Sequence, residues 1–137
     1  MVDFADYVGA VQPIPDGNET QLCAVDCTQA TEVAGIIILD GWLAVSLAAD
    51  TTGVTLSIVR NDNTGRVVAT ATYDAAPSTD AAHGAEFSVQ GFDGPGVIGD
   101  PEYVLQATVV GASSPSPVFG VELHARYNYV PPQVNSG

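Results

Sequence analysis

The chain has 137 residues, with 16 acidic side chains against three arginines and no lysine, for a formal charge of −13 at neutral pH. That length is the length of one domain, and 46% hydrophobic against 14% charged residues is the balance of a folded globule rather than a disordered acidic tail. Lacking any basic cluster to release counterions or to pair with lipid head groups, the chain is a poor partner for nucleic acid or a membrane surface.

Met1 to Ala10 carries Asp3 and Asp6 and shows neither the basic region nor the apolar core of a secretory signal. Met1 to Gln12 is weakly patterned, and Pro13-Ile14-Pro15-Asp16-Gly17-Asn18 then closes it off with turn chemistry. Residues 1–18 are therefore expected to form an extended N-terminal arm. From there the apolar period is two, and no helical stripe is found. The first expected strand, 19–25, is followed by Cys27, which three residues separate from Cys23. That spacing is neither a Cys-x-x-Cys redox pair nor half of a zinc site. In an extended strand the two Cα atoms stand roughly 13 Å apart, beyond the roughly 7 Å reach of a disulfide, so reduced thiols are expected unless the chain bends.

Strands are next expected at 31–39 and 42–49, parted by a turn at Asp40-Gly41. Broken by Asp40, Gly41 and Ser46, this stretch is too short to cross a bilayer, and the protein reads as soluble and made in the cytoplasm. Further strands are expected at 53–60, 66–73, 84–91, 101–111 and 118–130. Between them stand Asp50-Thr51-Thr52-Gly53, Asn61 to Gly65, Asp74 to Asp80, Asp93-Gly94-Pro95-Gly96 and Gly111 to Pro117, rich in residues that tolerate positive φ or fix it. In the last strand Phe119, Val121, Leu123, Ala125, Tyr127 and Tyr129 share one face while Glu122, His124, Arg126 and Asn128 share the other, the pattern of a sheet with one buried side. Pro131 to Gly137 should leave the fold as a flexible tail. The expectation is an all-β, eight-stranded jelly-roll sandwich over residues 19–130.

Chemistry is sparse. Asp40, Asp50, Asp62, Asp74, Asp93 and Asp100 recur at strand ends, where Asp caps turns. Calcium is the one ion such loops invite, with Asp62, Asp93 and Asp100 as its candidate ligands. No Asp-x-Asp-x-Asp-Gly loop is present, and neither is a Gly-x-Ser-x-Gly elbow or a His-Glu-x-x-His motif. His83 and His124 lack a nucleophile partner in sequence, and Ser46 and Ser88 have no distinguishing context, so no catalytic residue is assigned and no cofactor is expected. Trp42 reads as a packing residue, with sugar stacking as the alternative. Tyr127 and Tyr129 prolong an apolar face beyond what a small sandwich covers, and Val59, Val68, Val104 and Val110 put apolar groups on faces that should meet water. Strands apolar on both faces point to oligomerisation, with Tyr127, Tyr129, Val104 and Val110 as expected interface residues.

Three groups of segments resemble the compact trimeric jelly rolls of the tumour-necrosis-factor and C1q type, as used in virion proteins of bacteriophages and archaeal viruses. They are Asp50 to Arg60 with Gly65 to Thr72, Phe92 to Gly96 with Tyr103 to Thr108, and Val118 to Ala125. The resemblance implies a homotrimer in a virion: a capsid decoration (cement) or turret subunit of a tailed virus that binds the major capsid protein or another virion protein. In this reading the arm grips its neighbour through Phe4, Tyr7 and Val8. The alternative it leaves open is a receptor- or carbohydrate-binding tail-fibre module for host attachment, using the loops Asp74 to His83 and Gly111 to Pro117. Eleven Asp against five Glu, no lysine and abundant Ala, Val and Thr match a haloarchaeal or high-GC coding background; in the molar salt of a halophile, charge repulsion is screened within roughly 3 Å.

Overall fold

The structure is a computed structural model that describes residues 13–27, 36–48, 50–62, 64–74, 85–94, 101–111 and 115–126, together with the backbone of 2–8 and 127. It is all-β, with two sheets packed face to face and no helix among the described residues. The strands are β1 (Val2–Val8), β2 (Thr20–Asp26), β3 (Ile37–Val45), β4 (Gly53–Arg60), β5 (Val67–Asp74), β6 (Ala85–Asp93), β7 (Glu102–Val110) and β8 (Val118–Tyr127). Sheet 1 runs β1-β8-β3-β6 and sheet 2 runs β2-β7-β4-β5. The pairing is nested: β4 lies against β5, β3 against β6, β2 against β7 and β1 against β8, all antiparallel.

Alternation builds the core. Ile37, Leu39, Leu43 and Val45 of β3, with Val121, Leu123 and Ala125 of β8, face Val54, Leu56 and Ile58 of β4 and Tyr103, Leu105, Ala107 and Val109 of β7 across the gap, all at most 1% exposed. Side chains from two inner faces interdigitate in this way when sheets stack about 10 Å apart. The two-sheet, period-two expectation holds.

Three expectations change. Among the described residues of 19–130 there are seven strands, where eight were expected, because 31–39 and 42–49 are not separate. The supposed turn at Asp40-Gly41 lies inside β3, with Asp40 opposite His124 and Gly41 opposite Leu123. Gly41 serves a different purpose there: a Cβ would stand 2.8 Å from Leu105 Cδ1 and 3.0 Å from Val89 Cγ1, so the glycine admits the facing sheet. Residues 31–35 and 49 lie outside the described residues.

The second change concerns the last strand's apolar face. Val45 pairs with Val118 while Ala44 pairs with Gly120, so a bulge skips Phe119 and turns it outward, 41% exposed. One extra residue in a strand shifts the following side chains to the other face.

The third change is the arm. Val2–Val8 runs as the edge strand of sheet 1, from Val2 opposite Tyr127 to Val8 opposite Val121, which pairs backbone groups of β8 that the sheet would otherwise leave open. The Pro-rich segment after it is also tied down. Ile14 is fully buried and exchanges backbone hydrogen bonds with Ser116 at 2.9 and 2.8 Å, and the Asp16 carboxylate accepts from the Gly111 amide at 2.8 Å. The expected tail, 131–137, lies outside the described residues.

Candidate functional site

One end of the sandwich carries a buried carboxylate. Asp93 closes β6 at 1% exposure, and an unpaired charge there would be costly to bury. Its side-chain partners come from β4 and β7 of the other sheet and from the turn before β5. The Tyr103 hydroxyl of β7 donates to Asp93 Oδ2 at 2.8 Å, and Arg60 Nη1 of β4 donates to the same oxygen at 3.3 Å. Arg66 Nε stands 3.5 Å from Oδ1, which also accepts from the Gly94 amide at 3.0 Å. Burial first, and then the bond to Asp93, push the Tyr103 hydroxyl well above its ordinary value of 10.0. The cluster latches sheet 1 to sheet 2.

Arg60 extends the cluster to Asp62, whose Oδ2 lies 3.0 Å from Nε as an ion pair not aligned for a hydrogen bond. Asp62 caps its own turn: Oδ1 accepts from the Thr64 hydroxyl, from the Thr64 amide at 2.9 Å and from the Gly65 amide at 3.2 Å. These bonds, the Thr64 hydroxyl foremost, hold its carboxyl below the ordinary 3.8 against the opposing effect of desolvation. Gly65 takes φ of 59° here, the left-handed conformation such a turn requires. Two of the calcium candidates, Asp62 and Asp93, thus meet at Arg60, and the third, Asp100, lies outside the described residues. No group of three or more metal-ligating side chains occurs among the described residues.

The outer face of sheet 1 mixes charged side chains with the exposed Ile38 and Phe92. Arg126 of β8 pairs with Asp40 of β3, and His124 Nε2 lies 3.6 Å from Glu122 Oε2. Trp42, half-buried, sits between Glu122 and Ser88 in register. Ser88 uses its carbonyl to accept from the Tyr73 hydroxyl of sheet 2. His124 faces Asp40 on one side and the backbone position of Ala5 on the other, so no nucleophile lies opposite it in register. All three arginines therefore address carboxylates: Arg60 and Arg66 at Asp93, Arg126 at Asp40.

The expected interface residues part company. Val110 is 47% exposed, whereas Val104 is 5% exposed and already packed within the chain, so Val104 offers a partner little surface. Tyr129 and His83 lie outside the described residues, and of Phe4, Tyr7, Val8 and Tyr127 only the backbone is described. The thiols of Cys23 and Cys27 are buried and not bridged to each other. Sequence reasoning missed the latch, because its members are up to 43 positions apart in the chain, Arg60 to Tyr103. The available signal was Tyr103 itself, a phenol on an otherwise aliphatic inward face that needs a partner for its hydroxyl.

No protein-family model matches the chain, and no curated protein matches it in sequence. Solved structures do match by shape. Over 93% of its length it is similar to a chain of the T13 IBDV viral particle, with a TM-score of 0.52 and 12% identity, covering 32% of that chain. For the infectious bursal disease virus Gx strain the TM-score is 0.50 at 11% identity, over 93% of this chain and 34% of that one. A chain of the Bacillus endospore appendages, a family of disulfide-linked pili, gives a TM-score of 0.48 at 15% identity, over 92% of this chain and 89% of its own. The chain spans about a third of the length of the viral chains it matches. What it shares with them, at 11–12% identity, is a fold: the all-β sandwich of a chain in a virus particle.

Proposed function

We propose that the protein is a structural component of a virion, a jelly-roll subunit that decorates or caps a capsid as a homo-oligomer, the trimer being the form its resemblance implies. The observation that carries this is the nested pairing of β4 with β5, β3 with β6, β2 with β7 and β1 with β8. Such nesting supports a jelly-roll winding, and the likeness to a chain of a viral particle accompanies it. The chemistry agrees with a mechanical role. The buried carboxylate and the arginines are spent on holding sheets and turns together. β1 ends the strand order of sheet 1, and an edge strand can accept a further strand from a neighbour through its outward backbone groups. In this reading the segment of Phe4, Tyr7 and Val8 contacts the capsid from that edge, and Val110, Tyr127 and Tyr129 lie at contacts between copies.

Immunogold labelling with an antibody to this chain should mark the surface of purified virus particles, and particles free of label would overturn the proposal. A second reading, a carbohydrate-binding attachment module, is favoured by Trp42, whose ring shares the outer face of sheet 1 with Asp40, Glu122 and His124. Glycan-array binding abolished by Trp42→Ala would support that reading over the first.

A further inference from the structure

The two outer faces differ in a way the net charge makes consequential. That of sheet 1 carries Asp40, Glu122 and His124 in its middle, Glu86 towards one end and Arg126 towards the other, beside the exposed pair Ile38 and Phe92. That of sheet 2 is a set of uncharged ladders. Ala24, Val104, Val59 and Val67 lie in register across its four strands, followed by Gln21, Gln106, Ser57 and Thr70, and then by Thr108, Thr55 and Thr72. Its charges stand at the ends of the face: Asp26 opposite Glu102 at one end, Asp74 opposite Gly53 at the other. Glu102 there accepts a hydrogen bond from Asn61 Nδ2 at 2.6 Å.

We infer that the outer face of sheet 2 is a docking surface for a second copy of this chain, the two copies meeting through the same face. The inference rests on the structural role proposed above and adds the surface and the symmetry. Electrostatics selects the face on which two copies can meet. Two molecules of charge −13 repel wherever carboxylates approach each other. Among the described residues, the middle of this face meets its own copy without bringing two charges together. Desolvation is eased because hydroxyls already satisfy one another, Thr55 with Thr72 and Ser57 with Thr70, each at 3.2 Å, and hydroxyls already paired lose less on leaving water. Val67 and Val110, 57% and 47% exposed, supply apolar area, and the acidic residues fall on the rim, where interfaces tolerate charge.

Size sets the strength. Four strands about 4.8 Å apart and about eight residues long, at about 3.4 Å per residue, give a face of roughly 500 Å². Two copies would bury about 1,000 Å², below the roughly 1,200–2,000 Å² of stable specific interfaces and in the range of weak, transient ones. The association should therefore depend on concentration, and it should strengthen with salt as the repulsion between acidic rims is screened. A contact between identical faces is isologous, so it pairs subunits; if a trimer forms through other surfaces, this contact doubles it to six.

Sedimentation velocity of the full chain in 2 M and in 0.1 M NaCl, with matched variants, tests this. Gln106→Glu puts a nearly isosteric charge in the middle of the sheet 2 face, and Gln90→Glu puts the same charge on the outer face of sheet 1. In high salt the parent should sediment as a dimer or hexamer. Gln106→Glu should halve that mass, or weaken the association at least tenfold, while Gln90→Glu leaves it unchanged. Thr72→Glu, at an exposed edge position that tolerates charge in the monomer, should repeat the effect of Gln106→Glu. Equal effects of Gln106→Glu and Gln90→Glu, or a parent trimer that never doubles, would overturn this inference and leave the proposed homo-oligomer standing. A parent that stays monomeric at every concentration in high salt would overturn both.

Discussion

Replacing Asp93 by Asn tests whether the buried cluster latches the two sheets. The side chain is 2% exposed and faces Arg60, itself 21% exposed, at 3.3 Å, and the more exposed Arg66 at 3.5 Å, so the substitution removes the charge that both guanidiniums meet. Breaking a buried ion pair costs about 3–5 kcal/mol, and the lower end applies because Arg60 keeps Asp62 at 3.0 Å. With an unfolding entropy of ~2.1 cal/mol/K per residue, about 290 cal/mol/K over 137 residues, a loss of about 3 kcal/mol lowers Tm by ~10 °C. Tyr103→Phe deletes one hydrogen bond to a charged acceptor, worth about 2 kcal/mol or ~7 °C. Thermal melts followed by circular dichroism would give both values, and the double variant completes the cycle. After Asp93→Asn the side-chain amide accepts from Tyr103 as a neutral group, so the second substitution should cost about 1 kcal/mol less in that background. A shift below about 2 °C for Asp93→Asn, or additivity within about 0.5 kcal/mol, would show that the two sheets are not held at this point.

Alkaline titration gives a related result. Tyr103 stays protonated in the folded chain above its ordinary 10.0, so below that pH both states carry the proton and stability is unaffected. As pH rises past 10.0, the unfolded chain ionises first and stability falls; melts from pH 8 to 11 should show a decline in the parent that is reduced in Tyr103→Phe. Gly91→Ala should destabilise more than Gly41→Ala. The new Cβ at 91 would lie 2.7 Å from the Val68 carbonyl and 2.5 Å from Ala69 Cβ, whereas at 41 it meets the ends of Leu105 and Val89 side chains. Overpacking of this kind costs about 1–3 kcal/mol, and urea midpoints would rank the two. Arg126→Gln breaks a pair whose members are 42% and 24% exposed; it should cost less than about 1 kcal/mol, and less still in 1 M NaCl. A large effect that persists in salt would place Arg126 in a tighter network than the pair with Asp40.

Period two was sufficient to place β4, β5, β7 and β8, because each has one face against the core and the alternation of Val54, Leu56 and Ile58 or Tyr103, Leu105 and Ala107 reports it directly. What it could not report was where register slips. The bulges that skip Phe119 in β8 and Val68 in β5 leave no mark in composition. Glycine misled for a related reason. Gly41 and Gly65 look alike in sequence, yet only Gly65 has the positive φ of a turn, while Gly41 lies where the other sheet comes closest. Asp93 shows the same ambiguity. Its neighbour Gly94 does turn at φ 105°, so the turn reading was sound, but the carboxylate's burial depends on Tyr103, Arg60 and Arg66 arriving from the other sheet and the turn before β5. The uncharged face of sheet 2 was half legible: its valines suggested contact, and only the register assembled Thr55, Thr72 and Thr108 into one row.

The nested pairing also governs the order in which the chain can fold. Representative partners Thr55–Thr72, Trp42–Ser88, Ala24–Val104 and Ala5–His124 are 17, 46, 80 and 119 residues apart. Loop-closure entropy rises with separation, and each inner pair, once formed, shortens the loop the next must close. The β4–β5 hairpin is then the cheapest nucleus, and pairing proceeds outward in steps of comparable size, with β1 meeting β8 last. Few contacts are local, which places the chain among slow folders. During synthesis β1 leaves the ribosome before the other seven described strands and waits longest, since β8, the partner that covers its edge, is the last of the eight to be made.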